Sequence, residues 1–356
     1  MKEIKLKPNK KKRVIIIVFS CLVVVLVVVL IALLYVNGML GKIHYSPGAS
    51  SGIVSSEDTT SSKNSPQTDI ASLEKQIQDN LKSNSTPLAY DKDVFNVLLI
   101  GSDNRADVGG SRSDTMIILS INRKTSRIIM TSLMRDIYLS IPGHSDNRLN
   151  AAYAYGGSQL LLQTIQNNFK IKIDKYMSVD FFSFIDIIDK LGGVKITVTD
   201  AELPILNSYV TEINLLKGLS PNDGLLLKAG DDLLLTGKQA LGYSRIRYVG
   251  NADYQRTERQ RTVLTKVFTE LKGQNIIKQN EILNLLLPDV TTNLSKGELF
   301  SLLLSAPAYA KYTLDQDRIP IDGTQHGVVI NHMDVLGIDF AKNIAEMQSR
   351  IYGKDS

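Results

Sequence analysis

Sulfur-based chemistry is nearly absent from this chain of 356 residues. The single cysteine, Cys21, lies inside an uncharged apolar segment, so the remainder has no disulfide, no thiol nucleophile and no cysteine ligands for zinc. The motifs GxSxG, GxGxxG, GxxxxGK(S/T) and HExxH are also missing, and the four histidines are scattered. Any chemistry must therefore rest on other side chains, and core burial alone must hold the fold together.

Positive charge is concentrated at the start of the chain. Residues 1–13 hold six Lys, one Arg and one Glu, a net charge of +6, whereas the whole chain carries +5. The remaining body is thus close to neutral, at about −1, which is unlike a nucleic-acid-binding domain. A basic tail on a neutral body instead predicts a membrane-topology signal.

Residues 14–36 form an unbroken apolar run without a charge. As a helix this run would span roughly 35 Å, enough for a hydrocarbon core of about 30 Å. The preceding Lys and Arg residues predict that the N-terminus stays in the cytoplasm. A cleaved signal peptide is the alternative, but its apolar core is shorter, and no small-x-small cleavage site follows Tyr35. The sequence therefore predicts a single-pass anchor in the cell membrane, with everything past Asn37 outside the cell.

The segment that follows the anchor is poor in large apolar residues. Residues 46–69 are rich in Ser, Thr, Gly and Pro, which predicts a flexible stalk that holds the next domain near the membrane without fixing its orientation. Ile70, Leu73, Ile77 and Leu81 then recur at helical spacing and predict a short amphipathic helix. The predicted organisation is a cytoplasmic tail (residues 1–13), an anchor (14–36), a stalk with a short helix (37–92) and one extracellular domain (93–353).

From residue 93 onward, strand-like and helix-like patterns alternate. We predict the α/β class, with a mixed central β-sheet covered by helices on both faces. The predicted strands are 94–100, 116–121, 127–133, 176–179, 194–198 and 243–248, with further strand-like segments in 319–330. The strands 116–121 and 127–133 are predicted to form a hairpin around residues 122–126. The predicted helices are 149–155, 159–169, 182–191, 236–242, 253–272, 299–312 and 340–351, and Ser295 and Glu298 predict a capping box in front of 299–312. Residues 206–227 are predicted to form a mobile loop with short helices.

The first predicted strand of this domain ends in a charged stretch. The apolar run 94–100 stops at Gly101 and is followed by Asp103, Arg105, Arg112 and Asp114. Carboxylates among arginines can be simple counter-ions, but they also suit magnesium, which takes one or two carboxylates plus phosphate oxygens. Arginines with magnesium are the recurring arrangement in phosphoryl transfer. Residues 96–114 therefore predict the rim of a polyanion and metal site.

The long predicted helix 253–272 carries polar residues on its apolar face. At 100° per residue, Arg256 and Gln260 fall on the same stripe as Val263 and Val267, which must face the core. A buried arginine near a helix start is costly unless it meets an anion. Arg256 is therefore predicted either to bind an anionic ligand or to form a structural salt bridge.

Three further arginines lie near predicted strands. In the predicted strand 243–248, Arg245 and Arg247 are two residues apart and would share a face. Two adjacent cations repel each other unless something strongly negative lies between them, so the pair predicts an anion site, with a solvated strand face as the alternative. Arg135 follows the strand 127–133 and is predicted to pair with adjacent Asp136, whether or not it also binds a ligand.

These residues lie in segments that resemble the motifs of the LytR-CpsA-Psr family. The resemblance is carried by NVLLIGSDNR, SRSDTMIILSIN, SLMRDIYLSIPG, NRLNAAYAYGG, DKLGGVKITV, LTGKQALGYSRIR and DYQRTERQ, which occur in the family's order across about residues 93–272. The N-terminal anchor and the external domain are also the family's layout. Members of the family attach anionic polymers (teichoic acids or capsular polysaccharides) from undecaprenyl-pyrophosphate carriers to peptidoglycan.

The resemblance implies a role for each charged residue. Asp103 and Asp114 would bind Mg²⁺, and Asp114 would also belong to the catalytic group, although the residues do not settle which group acts as a base. The resemblance also implies a long apolar pocket for the polyprenyl chain. The pyrophosphate would be held by Arg112, Arg135, Arg245, Arg247 and Arg256, with Arg105 and Gln260 nearby, and Arg135, Arg245, Arg247 and Arg256 would also be catalytic.

The chain departs from the family pattern at two positions near these residues. Many members have Pro where this chain has Met134, and many have a second Gln where it has Arg261. Neither change removes a residue that the resemblance implies in ligand binding, but Arg261 would alter the contact with the acceptor glycan.

The function implied is a phosphotransferase with a polyprenyl-pyrophosphate-linked glycopolymer as donor and peptidoglycan as acceptor. A binding module for the same lipid-linked glycan would use the same arginines without magnesium-dependent turnover. A pyrophosphatase would use water as the nucleophile. A DNA-binding regulator conflicts with the predicted external position of the domain, and no nucleic-acid partner is expected.

Overall fold

A computed structural model of the chain describes residues 44–45, 65, 67–82, 87–103, 112–250, 252–273, 281, 288 and 290–353. The predicted anchor 14–36, most of the predicted stalk and Arg105 lie outside these ranges. Within them, no helix is both long enough and apolar enough to cross a membrane.

The described strands are short at the margins of the fold and long at its centre. They are β1 (His44–Tyr45), β2 (Val94–Asp103), β3 (Arg112–Asn122), β4 (Arg127–Leu133), β5 (Tyr138–Leu139), β6 (Asn147–Arg148), β7 (Lys175–Asp180), β8 (Val194–Val198), β9 (Gly230–Leu235), β10 (Val290–Thr292), β11 (Thr313–Ile319), β12 (Gln325–Ile330) and β13 (Met333–Ile338). The described helices are α1 (Gln67–Lys82), α2 (Leu149–Phe169), α3 (Phe181–Leu191), α4 (Leu203–Leu216), α5 (Gly237–Arg245), α6 (Ala252–Gly273), α7 (Lys296–Tyr309) and α8 (Phe340–Tyr352).

Seven strands form one mixed sheet in the order β1-β10-β7-β2-β3-β4-β11. β2, β3 and β4 are antiparallel neighbours, and β3 and β4 form the predicted hairpin, with Asn122 opposite Arg127. β7 runs parallel to β2, and β11 runs parallel to β4. The predicted mixed α/β sheet is confirmed. The predicted strand 194–198 is also confirmed as β8, but among the described strands it pairs with β9 alone, outside this sheet.

Helices pack against both faces of the sheet. On one face, Leu98 and Ile118 join a hydrophobic core with α1, α2 and α8. Their strand neighbours Val97 and Ile117 point to the opposite face and are also buried, because side chains alternate along a strand. A second core is formed by α3, α4, α5, α6, β8 and β9.

The predicted amphipathic helix is confirmed as α1, and it is packed into the domain itself. Leu73 and Ile77 are fully buried in the first hydrophobic core. β1 is also part of the folded body, since His44 and Tyr45 pair in parallel with Thr291 and Thr292 of β10. The domain therefore includes described segments on both sides of the predicted stalk.

Two predictions about the region before α6 are wrong. The loop predicted for residues 206–227 is wrong for the first half, where α4 occupies Leu203–Leu216 and buries Leu206, Val210 and Ile213 at helical spacing, whereas residues 217–227 are turn and loop. The predicted strand 243–248 is instead the end of α5 and the turn after it. Thr236 starts α5 with a capping box, and the helix runs through Arg245, so local helix formation overrides the short alternating pattern.

Candidate active site at one end of the sheet

Most of the predicted charged residues converge where β2, β3 and β4 meet the start of α6. β2 ends at Asp103, which pairs with the backbone of Arg112 at the start of β3. β4 runs antiparallel to β3, so Arg135, just past the end of β4, lies beside Asp114. α6 is joined to the same end of the sheet, because Gln260 donates a hydrogen bond of 3.3 Å to the carbonyl oxygen of Asp114.

Asp114 and Arg135, both predicted as site residues, form a short ion pair. Arg135 Nη1 donates to Asp114 Oδ1 at 2.6 Å. Burial alone would raise the pKa of the Asp114 carboxyl, but Arg135, Arg256 and Arg245 together hold it below its ordinary value. Burial would likewise lower the pKa of Arg135, and the carboxylates of Asp114, Asp136 and Asp253 outweigh it and raise that pKa. Both side chains are therefore charged at neutral pH.

Arg256 is buried at the start of α6, as its helix phase predicts. Only 4% of the residue is exposed, and its Nη2 lies 2.9 Å from Asp253 Oδ1. Its Nε is buried without a hydrogen-bond partner among the described residues. Burial, with the nearby charge of Arg135, lowers the pKa of Arg256 despite Asp253 and Asp114. The charge of Arg256 is thus incompletely compensated, as expected of a group that binds an added anion.

Two carboxylates that we did not predict as site residues link these arginines. Asp253 lies between Arg256 and Arg247, whose Nε is 3.3 Å from Asp253 Oδ1. Burial raises the pKa of the Asp253 carboxyl even though Arg256 opposes the shift. Asp136 contacts Arg135 at 3.6 Å, as predicted, and Arg247 at 4.0 Å. It also contacts Arg148, which the sequence did not single out, at 3.6 Å.

Arg245 lies in the site, but not beside Arg247 on a strand. As the last residue of α5, it contacts Glu212 of α4 at 3.2 Å. Its guanidinium carbon lies 4.6 Å from the ring centre of Tyr209 and 5.4 Å from that of Phe181, within cation–π range. Aromatic rings and one carboxylate therefore fix the orientation of Arg245, and none of these partners was predicted from the sequence.

A small cavity of about 60 Å³ connects the charged residues with apolar side chains. Asp103 and Arg245 lie on its wall, so the structure brings together two predicted residues from distant segments. The rest of the wall consists of Asp180, Phe181, Phe182, Ile213, Leu216 and Leu241.

Two predicted residues have no described side chain. Arg105 lies outside the described ranges, and only the backbone of Arg112 is described. Their predicted roles in pyrophosphate binding stay predictions.

The residues present are compatible with a magnesium ion that is shared with substrate. Within the described ranges, no group of three or more His, Cys, Asp or Glu side chains could enclose a metal. Asp103 and Asp114 come from adjacent strands, and the lowered pKa of Asp114 keeps its carboxylate ionised. Such a pair suits Mg²⁺ that completes its coordination with water and phosphate oxygens.

Arg259, one turn from Arg256, has a structural environment. It donates to Glu202 at 2.8 Å and to the carbonyl oxygens of Ile246 and Val249 at 3.2 and 3.3 Å. Only 5% of Arg259 is exposed. These bonds join α6 to the loop after α5 and to the start of α4, so Arg259 holds the site's elements in place.

The chain matches the model of the LytR_cpsA_psr family over residues 54–350. It belongs to the LytR-CpsA-Psr family. One relative, the polyisoprenyl-teichoic acid–peptidoglycan teichoic acid transferase TagU of Oceanobacillus iheyensis, is 36% identical over 253 residues, which cover 68% of this chain and 71% of that protein.

Solved structures share the fold. The structure described as TagT bound to LI-WTA has a TM-score of 0.59 and 25% identity, covering 75% of this chain and 93% of that one. The family protein YwtF (TagT) with bound octaprenyl pyrophosphate lipid has a TM-score of 0.55 and 24% identity, covering 75% and 92%. At 24% identity, the likeness to YwtF shows that the fold is shared and nothing further.

Proposed function

We propose that this chain is a glycopolymer transferase that attaches an anionic cell-wall polymer, a teichoic acid or capsular polysaccharide, from an undecaprenyl-pyrophosphate carrier to peptidoglycan. One observation carries the proposal: Arg245 and Asp103 lie on the wall of a mainly apolar cavity, and Arg245 acts together with Arg135 and Arg256 on the carboxylate of Asp114. A lipid pyrophosphate is a ligand with these two parts, an apolar chain and a doubly charged head. Membership of the family and the transferase name of the TagU relative support the same assignment.

The central sheet supplies further apolar surface for the lipid. Leu99 of β2 pairs with Met177 of β7, and Val97, on the same face as Leu99, pairs with Leu119 of β3. Leu99, Leu119 and Met177 are only half-buried although they lie in the middle of the sheet. Partly accessible apolar side chains at such a position favour a groove for a hydrocarbon chain.

The reaction moves a phosphorus-linked polymer from one oxygen to another. A sugar hydroxyl of peptidoglycan attacks the polymer-linked phosphorus, a new P–O bond forms, and the bond to undecaprenyl phosphate breaks with its electron pair on the leaving phosphate. Asp114 or Asp103 accepts the hydroxyl proton. Arg135, Arg247 and Arg256 hold the phosphate oxygens and stabilise the charge that develops on the leaving group.

Asp103 and Asp114 would hold Mg²⁺ in this reaction. The bound ion would neutralise phosphate charge, as magnesium does in other phosphoryl transfers. Arg135, already paired with Asp114 at 2.6 Å, keeps that carboxylate oriented and ionised whether or not the metal is bound.

The predicted topology fits this chemistry. With residues 14–36 as a single-pass anchor and residues 1–13 in the cytoplasm, the domain lies on the side of the membrane where peptidoglycan is found. Protease accessibility of the domain on intact cells tests this placement, and a protected domain would contradict it.

The activity is tested with the purified full-length chain in detergent, a defined lipid-linked glycan and peptidoglycan fragments, with and without magnesium. We expect magnesium-dependent transfer, and we expect Arg135→Ala and Arg245→Ala to reduce it on the order of 100- to 1000-fold, as when a preorganised donor to a transition-state anion is lost. Arg123→Ala removes an exposed arginine from the β3–β4 turn and serves as the matched control.

Each other outcome has a distinct meaning. Binding of the lipid-linked glycan without turnover identifies a binding module. Release of the glycan without any need for peptidoglycan identifies a pyrophosphatase. Full transfer by Arg135→Ala or Arg245→Ala overturns the assigned site, and a loss of transfer supports it only where the variant is still folded at the assay temperature.

A further inference from the structure

Arg261 is a buried cation without a hydrogen bond or ion pair to any described residue, although the carboxylates of Glu258 and Asp317 lie near enough to oppose the lowering of its pKa by burial. Only 8% of the residue is exposed, and both Nε and Nη1 are buried without a hydrogen-bond partner among the described residues. No ion pair within 4.0 Å compensates it in the described ranges, whereas Arg259, two residues earlier, is fully bonded. A buried guanidinium whose N–H groups have no acceptor lowers the stability of the fold, unless a bound ligand supplies the acceptors.

Arg261 lies in the seam between α6 and β11. Tyr254, seven residues before it on α6, has the guanidinium of Arg318 4.3 Å from its ring centre. Thr265, four residues after it, accepts a hydrogen bond of 2.9 Å from Gln316. Residues at these spacings share one face of a helix. Arg261 therefore faces β11 and lies between the two points at which β11 contacts α6, Arg318 with Tyr254 and Gln316 with Thr265.

A second positive charge lies in the same seam. Burial lowers the pKa of Arg261 most, Glu258 opposes that shift, and Arg318 on β11 is close enough to lower the pKa further. Arg318 is held by the carbonyl oxygen of Pro320 at 3.1 Å and by Asp322, whose side chain is 91% exposed. An ion pair with so exposed a carboxylate contributes little, so Arg318 can take a second anion.

The position of this seam in the sheet suggests which anion reaches it. The apolar cavity lies beside the ends of β7 and β2, at Asp180 and Asp103. The Asp114–Arg135 pair lies next, at the ends of β3 and β4. β11 follows β4, and Arg318 pairs with Ser132 only three residues before Arg135. Neighbouring strands are about 4.8 Å apart. Across this edge of the sheet, the proposed lipid cavity is therefore followed by the proposed pyrophosphate site and then by the seam between α6 and β11.

We propose that Arg261 and Arg318 form a second anion subsite, which binds a phosphate of the donor polymer beyond the pyrophosphate. This inference rests on the proposed function, since it takes the lipid to occupy the cavity side and the polymer to leave on the opposite side. Along α6, Arg261 is five residues past Arg256, a rise of about 7.5 Å, so the two arginines meet different anionic groups. The subsite makes the enzyme selective for donors that carry an anionic polymer.

The test compares two donors on the full-length chain in detergent. One is a lipid-pyrophosphate glycan without polymer, and the other carries several glycerol phosphate units. We expect wild-type protein to bind the second donor on the order of tenfold more tightly. Arg261→Gln should remove this gain and leave affinity for the polymer-free donor unchanged, and Arg261→Lys should keep part of it.

Stability measurements separate a binding role from a structural one. Arg261→Gln should unfold at the same or a higher temperature, because it removes a buried charge that Glu258 and Asp317 compensate only in part. A lower unfolding temperature with unchanged donor affinity would assign Arg261 a structural role and overturn the proposal. Lys266→Gln, which removes one charge from α6 outside the seam, is the matched control.

The remaining outcomes are also decisive. Equal loss for both donors would place Arg261 in the pyrophosphate cluster itself. A raised KM for peptidoglycan with normal donor binding would assign the anion to the acceptor; either result overturns the subsite. Wild-type protein that binds neither donor would refute the proposed function, whereas wild-type protein that binds both equally would refute only this inference.

Discussion

Two arginines on α6, Arg256 and Arg259, are equally buried but have different surroundings. Arg259 faces the second core and donates to Glu202 and to two backbone carbonyls. Arg256 faces the sheet, where its Nε has no hydrogen-bond partner among the described residues and Arg135 adds a like charge nearby. Burial therefore does not distinguish a structural arginine from a ligand-binding one. The number of satisfied donors does, and by this criterion Arg256 is a proposed anion ligand.

The largest effect is expected on the structural side of α6. Arg259→Leu leaves the buried carboxylate of Glu202 without its cation and should lower the free energy of unfolding by about 3–5 kcal/mol. Denaturant unfolding of the purified protein measures it. Glu258→Gln, an exposed change on the same helix, should stay within about 0.5 kcal/mol. A loss below about 1 kcal/mol for Arg259→Leu would remove the distinction between the two arginines.

On the other side of α6, we expect a loss of activity that exceeds the loss of stability. Arg256→Gln should slow transfer on the order of 100- to 1000-fold, about 2.7–4 kcal/mol of transition-state stabilisation. Its cost in stability should be smaller, about 1–2 kcal/mol, because Asp253 keeps its contact with Arg247. Inorganic pyrophosphate should raise the unfolding temperature of wild type and of Arg259→Leu, but not of Arg256→Gln. Equal stabilisation of all three would contradict the assignment.

Asp114 links stability in the site to pH. Asp114→Asn should lower the free energy of unfolding by about 2 kcal/mol at neutral pH, since it breaks the charge-assisted bond to Arg135. The folded-state pKa of Asp114 is below its ordinary value, so this stabilisation is present above the unfolded-state pKa of about 4 and is lost as pH falls through the folded-state pKa. The difference in the free energy of unfolding between wild type and variant should be constant from about pH 5 to 8 and should shrink as the pH falls below about 4. Denaturant unfolding across this range measures it; a difference that grows in acid would reverse the sign of the shift.

The smallest effect concerns the orientation of Arg245. Tyr209→Leu removes the ring that lies under its guanidinium and should weaken binding of the lipid pyrophosphate about fivefold, or about 1 kcal/mol. Tyr209→Phe keeps the ring and should bind like the wild type. If both variants weaken binding equally, the hydroxyl group rather than the ring positions Arg245.

Local patterns predicted much of this fold because they depend on neighbouring residues. The phase of α6 placed Arg256 on a buried face, and Ser295 and Glu298 marked the start of α7 through a capping box that the structure contains. The hairpin β3–β4 followed from two apolar runs around a short polar turn. Each of these features needs only a few residues in sequence, so the sequence was sufficient for them.

One local pattern was misread, and contacts between distant segments were missed. The alternation of Arg245 and Arg247 suggested a strand, but α5, which begins with a capping box at Thr236, runs through Arg245. Asp253 and Asp136 were not predicted to act together, because their meeting through Arg247 depends on how the loop after α5 returns to the sheet. A short period-2 pattern cannot specify that path.

β1 has a consequence for where the reaction takes place. It joins the sheet at His44, eight residues past the end of the anchor predicted at residue 36. Eight residues of fully extended chain reach at most about 26–29 Å, so in the proposed topology one sheet edge is confined to that distance from the bilayer. A flexible stalk alone would limit only how far the domain can move from the anchor. An attachment eight residues after the anchor would also restrict the height of the domain above the bilayer and its tilt. In that proposed topology the head group of the lipid carrier would lie at the same surface, so the anchor would hold the catalytic end within reach of a substrate that cannot leave the membrane.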